Sequence, residues 1–389
     1  MDTLKVERIE FDSLKALKPM FAAQAPCLSA YMQLSTAPGH QGAKANSLQW
    51  RELVKSLAPK IEQYGPKGRE LLTSLSDWDA ISQGADPQGK SVAVFRSQDS
   101  FQLTWIEETV PSRAVAGPHF YVRPLLPELM GSKTFYILAL SQKNVRLLRC
   151  TSRTSEDVAL PHTVSTNYEA WMDTVRPDHD SQHGASTGPA GGGAKGMTTG
   201  TTQNRDNKDQ FLAHFYKQVD HGLNEALRGR TEPVVLAGVE YEIALYRPLN
   251  KYPHLAEEWV EGAPSGMKSG DLHARALAAI ARCYAKKVGE ELAEYDHKVG
   301  GGASNRLKDI IPAAHDGRVL TLLVSDSAEM IGAFDEATDS VKRRQTGGSQ
   351  DEDLVNSAVV QTILHAGHVF VVPNSKMPNG APLAAIYRF

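Results

Sequence analysis

Apolar positions along the chain alternate between short unbroken runs and longer stretches where they recur every three or four residues. Runs bounded by turn residues predict buried strands, and the three-to-four spacing predicts amphipathic helices. A helix-like stretch at Phe11–Phe21 precedes a first run, Cys27-Leu28-Ser29-Ala30-Tyr31-Met32. Leu48 to Gln63 carries Trp50, Val54, Leu57 and Ile61 at helical spacing, and Arg69–Trp78 repeats the pattern more briefly. Ser91–Phe95 and Phe101–Ile106 then read as paired strands across the polar turn Ser97–Ser100. Together these elements predict an α/β domain over residues 1–115.

A second block contains Phe135–Leu140, a continuous apolar run of the kind that fills a central strand covered on both faces. Gln142-Lys143-Asn144 supplies a turn, and Val145–Cys150 returns as a strand. Between His183 and Asn204 the composition shifts to seven glycines, with Ser, Thr and Ala filling most of the rest. Such a tract predicts a loop without a packed core, over 178–207. Phe211, Phe215, Val219, Leu223 and Leu227 follow four apart, which predicts a helix. Pro233–Gly238 reads as a buried strand and Leu272–Tyr295 as a long helix, broken by Gly300-Gly301-Gly302. These elements place a middle domain at 116–304.

The last block, 305–389, predicts strands at Val319–Val324 and Met330–Phe334. Ser349-Gln350-Asp351-Glu352 fits a capping box before a helix at Leu354–Ala366, with Gly367 at its C-terminal stop. Val369–Val372 and Ala384–Phe389 complete a small α/β domain. No internal repeat is visible.

Composition narrows this picture. The 389 residues suit two or three domains, and 41% apolar content supplies real cores. With 42 Lys+Arg against 45 Asp+Glu, the net charge of -3 argues against a surface that coats nucleic acid throughout. Cys27, Cys150 and Cys283 are far apart and form no C-x-x-C pair, so the expected compartment is reducing. The first ten residues lack a signal-peptide core, and no apolar run reaches membrane-spanning length. The expectation is a cytoplasmic protein with neither membrane nor DNA as partner.

Few residues carry chemistry by their spacing. Asp178-His179-Asp180 with His183 resembles a set of metal ligands, but nothing rigid holds it, so no metal or cofactor is expected. His214 and His221 share a helix face without a third ligand. Ala194-Lys195-Gly196 lacks the G-K-[ST] of a phosphate-binding loop, and no G-x-S-x-G elbow occurs. Asp157, Glu240 and Glu242 lie near expected strands but form no recognisable carboxylate set. Two basic groups could meet phosphate: Arg146, Arg149 and Arg153 flanking one strand, and Lys342-Arg343-Arg344 in a polar loop.

The order of segments is more informative than any of these. Phe120–Pro127 leads into Phe135–Cys150, the Gly-rich tract and the Phe211 helix. Then come Val235–Tyr241, Tyr252-Pro253-His254-Leu255, the capped helix, Val369–Pro373 and Ala385–Phe389. This series resembles bacterial members of the archaeo-eukaryotic peptide-chain release factor and Pelota superfamily, over nearly the whole chain. The resemblance implies three domains: an N-terminal α/β domain, a middle domain of ribonuclease-H-like topology, and a C-terminal α/β/α sandwich similar to kink-turn-binding ribosomal proteins.

In that superfamily a Gly-Gly-Gln tripeptide on the middle-domain loop helps water attack peptidyl-tRNA, its glycines allowing a tight turn. Here Gly191-Gly192-Gly193 is followed by Ala194, and the next glutamine, Gln203, follows Thr201-Thr202. The tripeptide is missing, which argues against hydrolysis. The Asn-Ile-Lys-Ser motif that reads stop codons in eukaryotic members is missing as well. The resemblance therefore implies a ribosome-associated factor in the A site, acting in hibernation, rescue or protection of stalled ribosomes. Gly191–Gly193, Lys195, Gln203 and the two basic groups would meet ribosomal RNA, and a translational GTPase is a further candidate partner. The alternatives are a peptidyl-tRNA hydrolase using the variant loop, or an RNA-binding or ribonuclease-like module.

Overall fold

The computed structural model describes residues 7–8, 17–21, 23, 25–37, 39–83, 90–106, 108–130, 134–152, 154–175, 201–344 and 352–388. The chain forms two compact units, one of Met1–Gly131 with Lys286–Phe389 and the other of Ser132–Ala285. Residues 116–131 and 286–304, expected in the middle domain, thus lie in the first unit.

The first unit opens with β1 (Glu7–Arg8), β2 (Cys27–Gln33), β3 (Ser91–Arg96), β4 (Phe101–Ile106) and β5 (Arg113–Gly117), ordered β1-β4-β3-β2-β5. Helices α1 (Lys18–Phe21), α2 (Gly39–Lys55), α3 (Ala58–Ile61), α4 (Gly65–Ser74), α5 (Trp78–Ser82) and α6 (Leu126–Met130) accompany them. The helix expected over 48–63 is divided. The ring of Pro59 would collide with the Lys55 carbonyl, so α2 stops there and α3 begins afresh. Trp50, Val54, Leu57 and Ile61 are all buried nonetheless, packed with Leu28, Ala30 and Met32 of β2. The Trp50 indole donates to the Leu75 carbonyl at 2.7 Å, which satisfies its polar atom inside the core. The other sheet face, with Tyr31, Ala93 and Phe95, joins Phe120–Val122 and residues after 300 in one apolar cluster.

The second unit holds β6 (Phe135–Ala139), β7 (Arg146–Cys150), β8 (Ser155–Val158), β9 (Val234–Gly238) and β10 (Leu255–Glu261). Their order is β10-β9-β6-β7-β8, an antiparallel meander β6-β7-β8 with β9 and β10 added parallel to β6. Counted within the unit this is 3-2-1-4-5, the ribonuclease-H arrangement. The apolar run at β6 is explained by its two covered faces. Tyr136 and Leu138 pack under α7 (Tyr168–Val175), α8 (Thr201–Ala226) and α9 (Glu240–Tyr246), while Phe135, Ile137 and Ala139 face the first half of α10 (Ser269–Lys298).

The helix expected from Phe211 begins ten residues earlier, at Thr201, so 201–207 are helical rather than loop. Its buried side chains are Leu212, Phe215, Tyr216, Val219, Asp220 and Leu223, with Leu227 buried just past its end, whereas Phe211 is exposed. A row spaced by four drifts about 40° per step on a helix of 3.6 residues per turn, so its first member leaves the apolar face.

The chain returns to the first unit with β11 (Ala303–Ser304), α11 (Leu307–His315), β12 (Val319–Ser325), β13 (Ile331–Asp335), β14 (Ser340–Arg343), β15 (Glu352–Asp353), α12 (Leu354–Leu364), β16 (His368–Val372) and β17 (Leu383–Tyr387). A sheet ordered β11-β17-β12-β16 carries α11 and α12 against Leu322, Val324, Leu383 and Ala385. A second sheet, β14-β13-β15, turns the expected polar loop at Lys342-Arg343 into a strand. The cap of α12 also differs from expectation. Asp353, not Ser349, is the N-cap and accepts from the Val355 amide. At the other end Ala366, not Gly367, takes the left-handed backbone with φ 57°. Gly367 is required for a different reason: a Cβ there would lie 2.6 Å from Thr362 Cγ2 and 2.9 Å from the Val319 carbonyl.

Candidate functional site

The Gly-rich tract is carried by two helices whose packing is well specified. Trp171 and Met172 of α7 are buried with Leu212 and Phe215 of α8. Tyr168 meets Phe215 edge-on, with ring centroids 5.6 Å apart. Gly222 lets the Val164 side chain approach α8, since a Cβ there would sit 2.7 Å from Val164 Cγ2. Segment 176–200 leaves α7 and re-enters at α8, a helix of about 39 Å at 1.5 Å per residue. Gly191, Gly192, Gly193, Lys195 and Arg153 lie outside the described residues, as do Asp178, His179, Asp180 and His183. Gln203 falls in the first turn of α8.

Beside these stems α8 and α9 share a buried polar network. Asp220 accepts from the Tyr246 hydroxyl at 3.1 Å and from the Lys251 amide at 3.2 Å. Glu242 accepts from the Gln142 side chain at 3.4 Å. Tyr216 lies next to Glu242, and its ring meets that of Tyr246 edge-on at 6.0 Å. Burial pushes both carboxyls above their ordinary range, against the pull of the donors around them. Both tyrosine hydroxyls are pushed up by burial too, so they remain protonated. The Asp220–Tyr246 bond holds α8 against α9.

The expected basic groups are placed differently from each other. Arg146 and Arg149 sit on β7 but three residues apart, so they project to opposite faces of the strand. Arg146 grips Asp157 with two bonds of 2.9 Å, while Arg149 is exposed. Lys342 and Arg343 are exposed on β14, opposite Ala333 and Gly332, and Arg344 follows with its amide bonded to the Ile331 carbonyl.

Among the described residues no group of three or more His, Cys, Asp or Glu could hold a metal ion. His214 and His221 are both exposed on α8. Asp157 is engaged by Arg146, and Glu242 is buried under α8. The central strands β6 and β9 carry no carboxylate. No helix among the described residues is long and apolar enough to cross a membrane.

Sequence reasoning missed Asp220, although a signal existed. An acidic residue next to Val219 interrupts the apolar face of α8, and such a residue needs buried partners. It also missed Tyr246 and Gln142, whose partners come from elements distant in the chain.

Residues 135–282 match bacterial archaeo-eukaryotic release factor family 7. The match covers the 3-2-1-4-5 sheet, α7 to α9 and the first half of α10. No curated protein matches the chain. Among solved structures the chain is similar to the archaeal translation termination factor aRF1, at 17% identity over 98% of this chain and 99% of that one, with a TM-score of 0.24. Dom34 of S. cerevisiae aligns at 11% identity over 72% and 75% of the two chains, with a TM-score of 0.38. An archaeal Pelota aligns at 15% over 77% of each, with a TM-score of 0.37.

Proposed function

We propose that this protein is a ribosome-associated factor that occupies the A site in hibernation, rescue or protection of stalled ribosomes, without hydrolysing peptidyl-tRNA. One observation carries the reading: a release-factor-family middle segment whose loop reads Gly191-Gly192-Gly193-Ala194 where the hydrolytic tripeptide would need glutamine. The stems that would present this loop are intact, so the loss is chemical rather than architectural. Ribosomal RNA would be met through local contacts by Arg149, Lys342 and Arg343, with shape recognised more than base sequence. A net charge of -3 is compatible with such local contacts. The chain would be organised as three domains, and a translational GTPase is the partner class the resemblance suggests.

Sucrose-gradient sedimentation of the tagged protein from growing and stressed cells tests the reading. Co-sedimentation with 70S particles is expected. Its absence under every condition sinks the proposal. Deleting 188–200 and assaying release from stalled complexes then addresses hydrolysis: loss of a release activity with binding retained would replace this reading by a peptidyl-tRNA hydrolase.

A further inference from the structure

A cleft of 670 Å³ opens in the first unit, where the end of α10 meets the start of α11. Its size falls within the range of small-molecule sites, about 300–1,000 Å³. We propose that this cleft binds a phosphate-bearing small molecule of mononucleotide size.

Three cationic side chains line it, Arg306, Lys308 and Arg318, against two carboxylates, Asp309 and Asp339. The arginines are held in position without being used up. Arg306 donates through Nε to Asp309 at 2.7 Å, and Asp309 also accepts from Ser304, so its charge is already engaged. Arg318 donates through Nε and Nη2 to Asp316, at 3.1 and 2.9 Å, and keeps Nη1 free. Lys308 is exposed and enters no ion pair among the described residues. Guanidinium groups oriented by carboxylates, with a free ammonium beside them, suit a phosphate, which accepts several charge-assisted hydrogen bonds at once.

Apolar side chains line the cleft as well. Val299 is 59% exposed, an unusual state for a large aliphatic side chain, and it lines the cleft together with Tyr295 and Pro312. A ligand with a flat or apolar body and a phosphate at one end would cover Val299 while meeting the cations. A bare inorganic anion would leave most of the volume and these apolar side chains unused. The inference is independent of the ribosomal reading, because it rests only on residues of this cleft.

Calorimetric titration of the full-length protein with AMP, GMP, GDP and inorganic phosphate tests it. At least one nucleotide is expected to bind, more tightly than phosphate, with affinity falling about tenfold in Lys308→Gln and in Arg318→Gln. Lys55→Gln, exposed on α2 and away from the cleft, should bind as the parent does. Circular dichroism melts of the variants check that folding is retained. Three outcomes overturn the proposal: no nucleotide binding, equal affinity for phosphate alone, or binding unchanged in both cleft variants. Tighter binding of an RNA duplex, lost in the same variants, would assign the cleft to RNA and also overturn it.

Discussion

Arg123 donates through Nη1 to the Asp353 carboxylate at 2.7 Å, joining the segment after β5 to the N-cap of α12. The two side chains are only 9% and 6% exposed. Asp353 also accepts from the amides of Met330 and Val355, so one carboxylate organises β13, α12 and the Arg123 segment together. Removing the cation strands a buried charge. Arg123→Met should therefore cost about 3–5 kcal/mol of stability, and the double variant Arg123→Met/Asp353→Leu less than the single one. Urea denaturation measures both; a single variant equal to the parent would refute the assignment.

Glu242 sets a pH dependence of the second unit. Burial raises its folded pKa above the ordinary 4.5, despite the hydrogen bond from Gln142. The folded state then holds more protons than the unfolded one between the two pKa values, so this group's contribution to stability falls as pH rises through that window. In Glu242→Gln the penalty is absent. The variant should gain stability relative to the parent as pH rises from about 4 to 7. Thermal melts across that range decide the point, and a relative stability that falls with pH would contradict it.

The end of α12 gives two substitutions of opposite sign. Gly367→Ala would drive a Cβ into Thr362 and the Val319 carbonyl, and should cost about 1–3 kcal/mol. Ala366→Gly relieves a left-handed alanine, and should stabilise by about 0.5–1 kcal/mol. Paired denaturation curves read the two values; a destabilised Ala366→Gly would show that the side chain makes contacts outweighing the strain.

The two arginines of β7 should behave differently if the protein contacts RNA. Arg149 is exposed, while Arg146 is held by Asp157. Arg149→Ala should weaken ribosome binding and reduce the salt dependence by about 0.7–0.9 in logarithmic slope, the value of one phosphate contact. Arg146→Ala should change binding less. Pelleting assays at several salt concentrations compare them, and an equal effect of both would count against selective use of Arg149.

Much of this fold was legible because burial follows periodicity. The runs at 135–140 and 233–238 are apolar on consecutive positions, and both prove to be strands covered on two faces. Helix ends were less legible. The stop before Pro59 and the cap at Asp353 depend on single backbone contacts that a hydrophobic pattern does not register. The candidate site was legible only in part. The basic residues could be named, but Arg146 and Arg149 differ in partner and face, and spacing alone had grouped them.

From the sequence by itself came the α/β class, the helices and strands of each block, the release-factor resemblance and the missing tripeptide. These are local: they depend on which side chains recur at which spacing, and on which residues stand next to the glycines. Only the tertiary structure decided that 116–131 and 286–304 belong with the first unit, that Asp220 and Glu242 are buried beside tyrosines, and that Arg306, Lys308 and Arg318 line one cleft. Those facts depend on contacts between residues far apart in the chain. A buried carboxylate or a cluster of cations is made by its neighbours, and the sequence does not say who they are until the chain has folded.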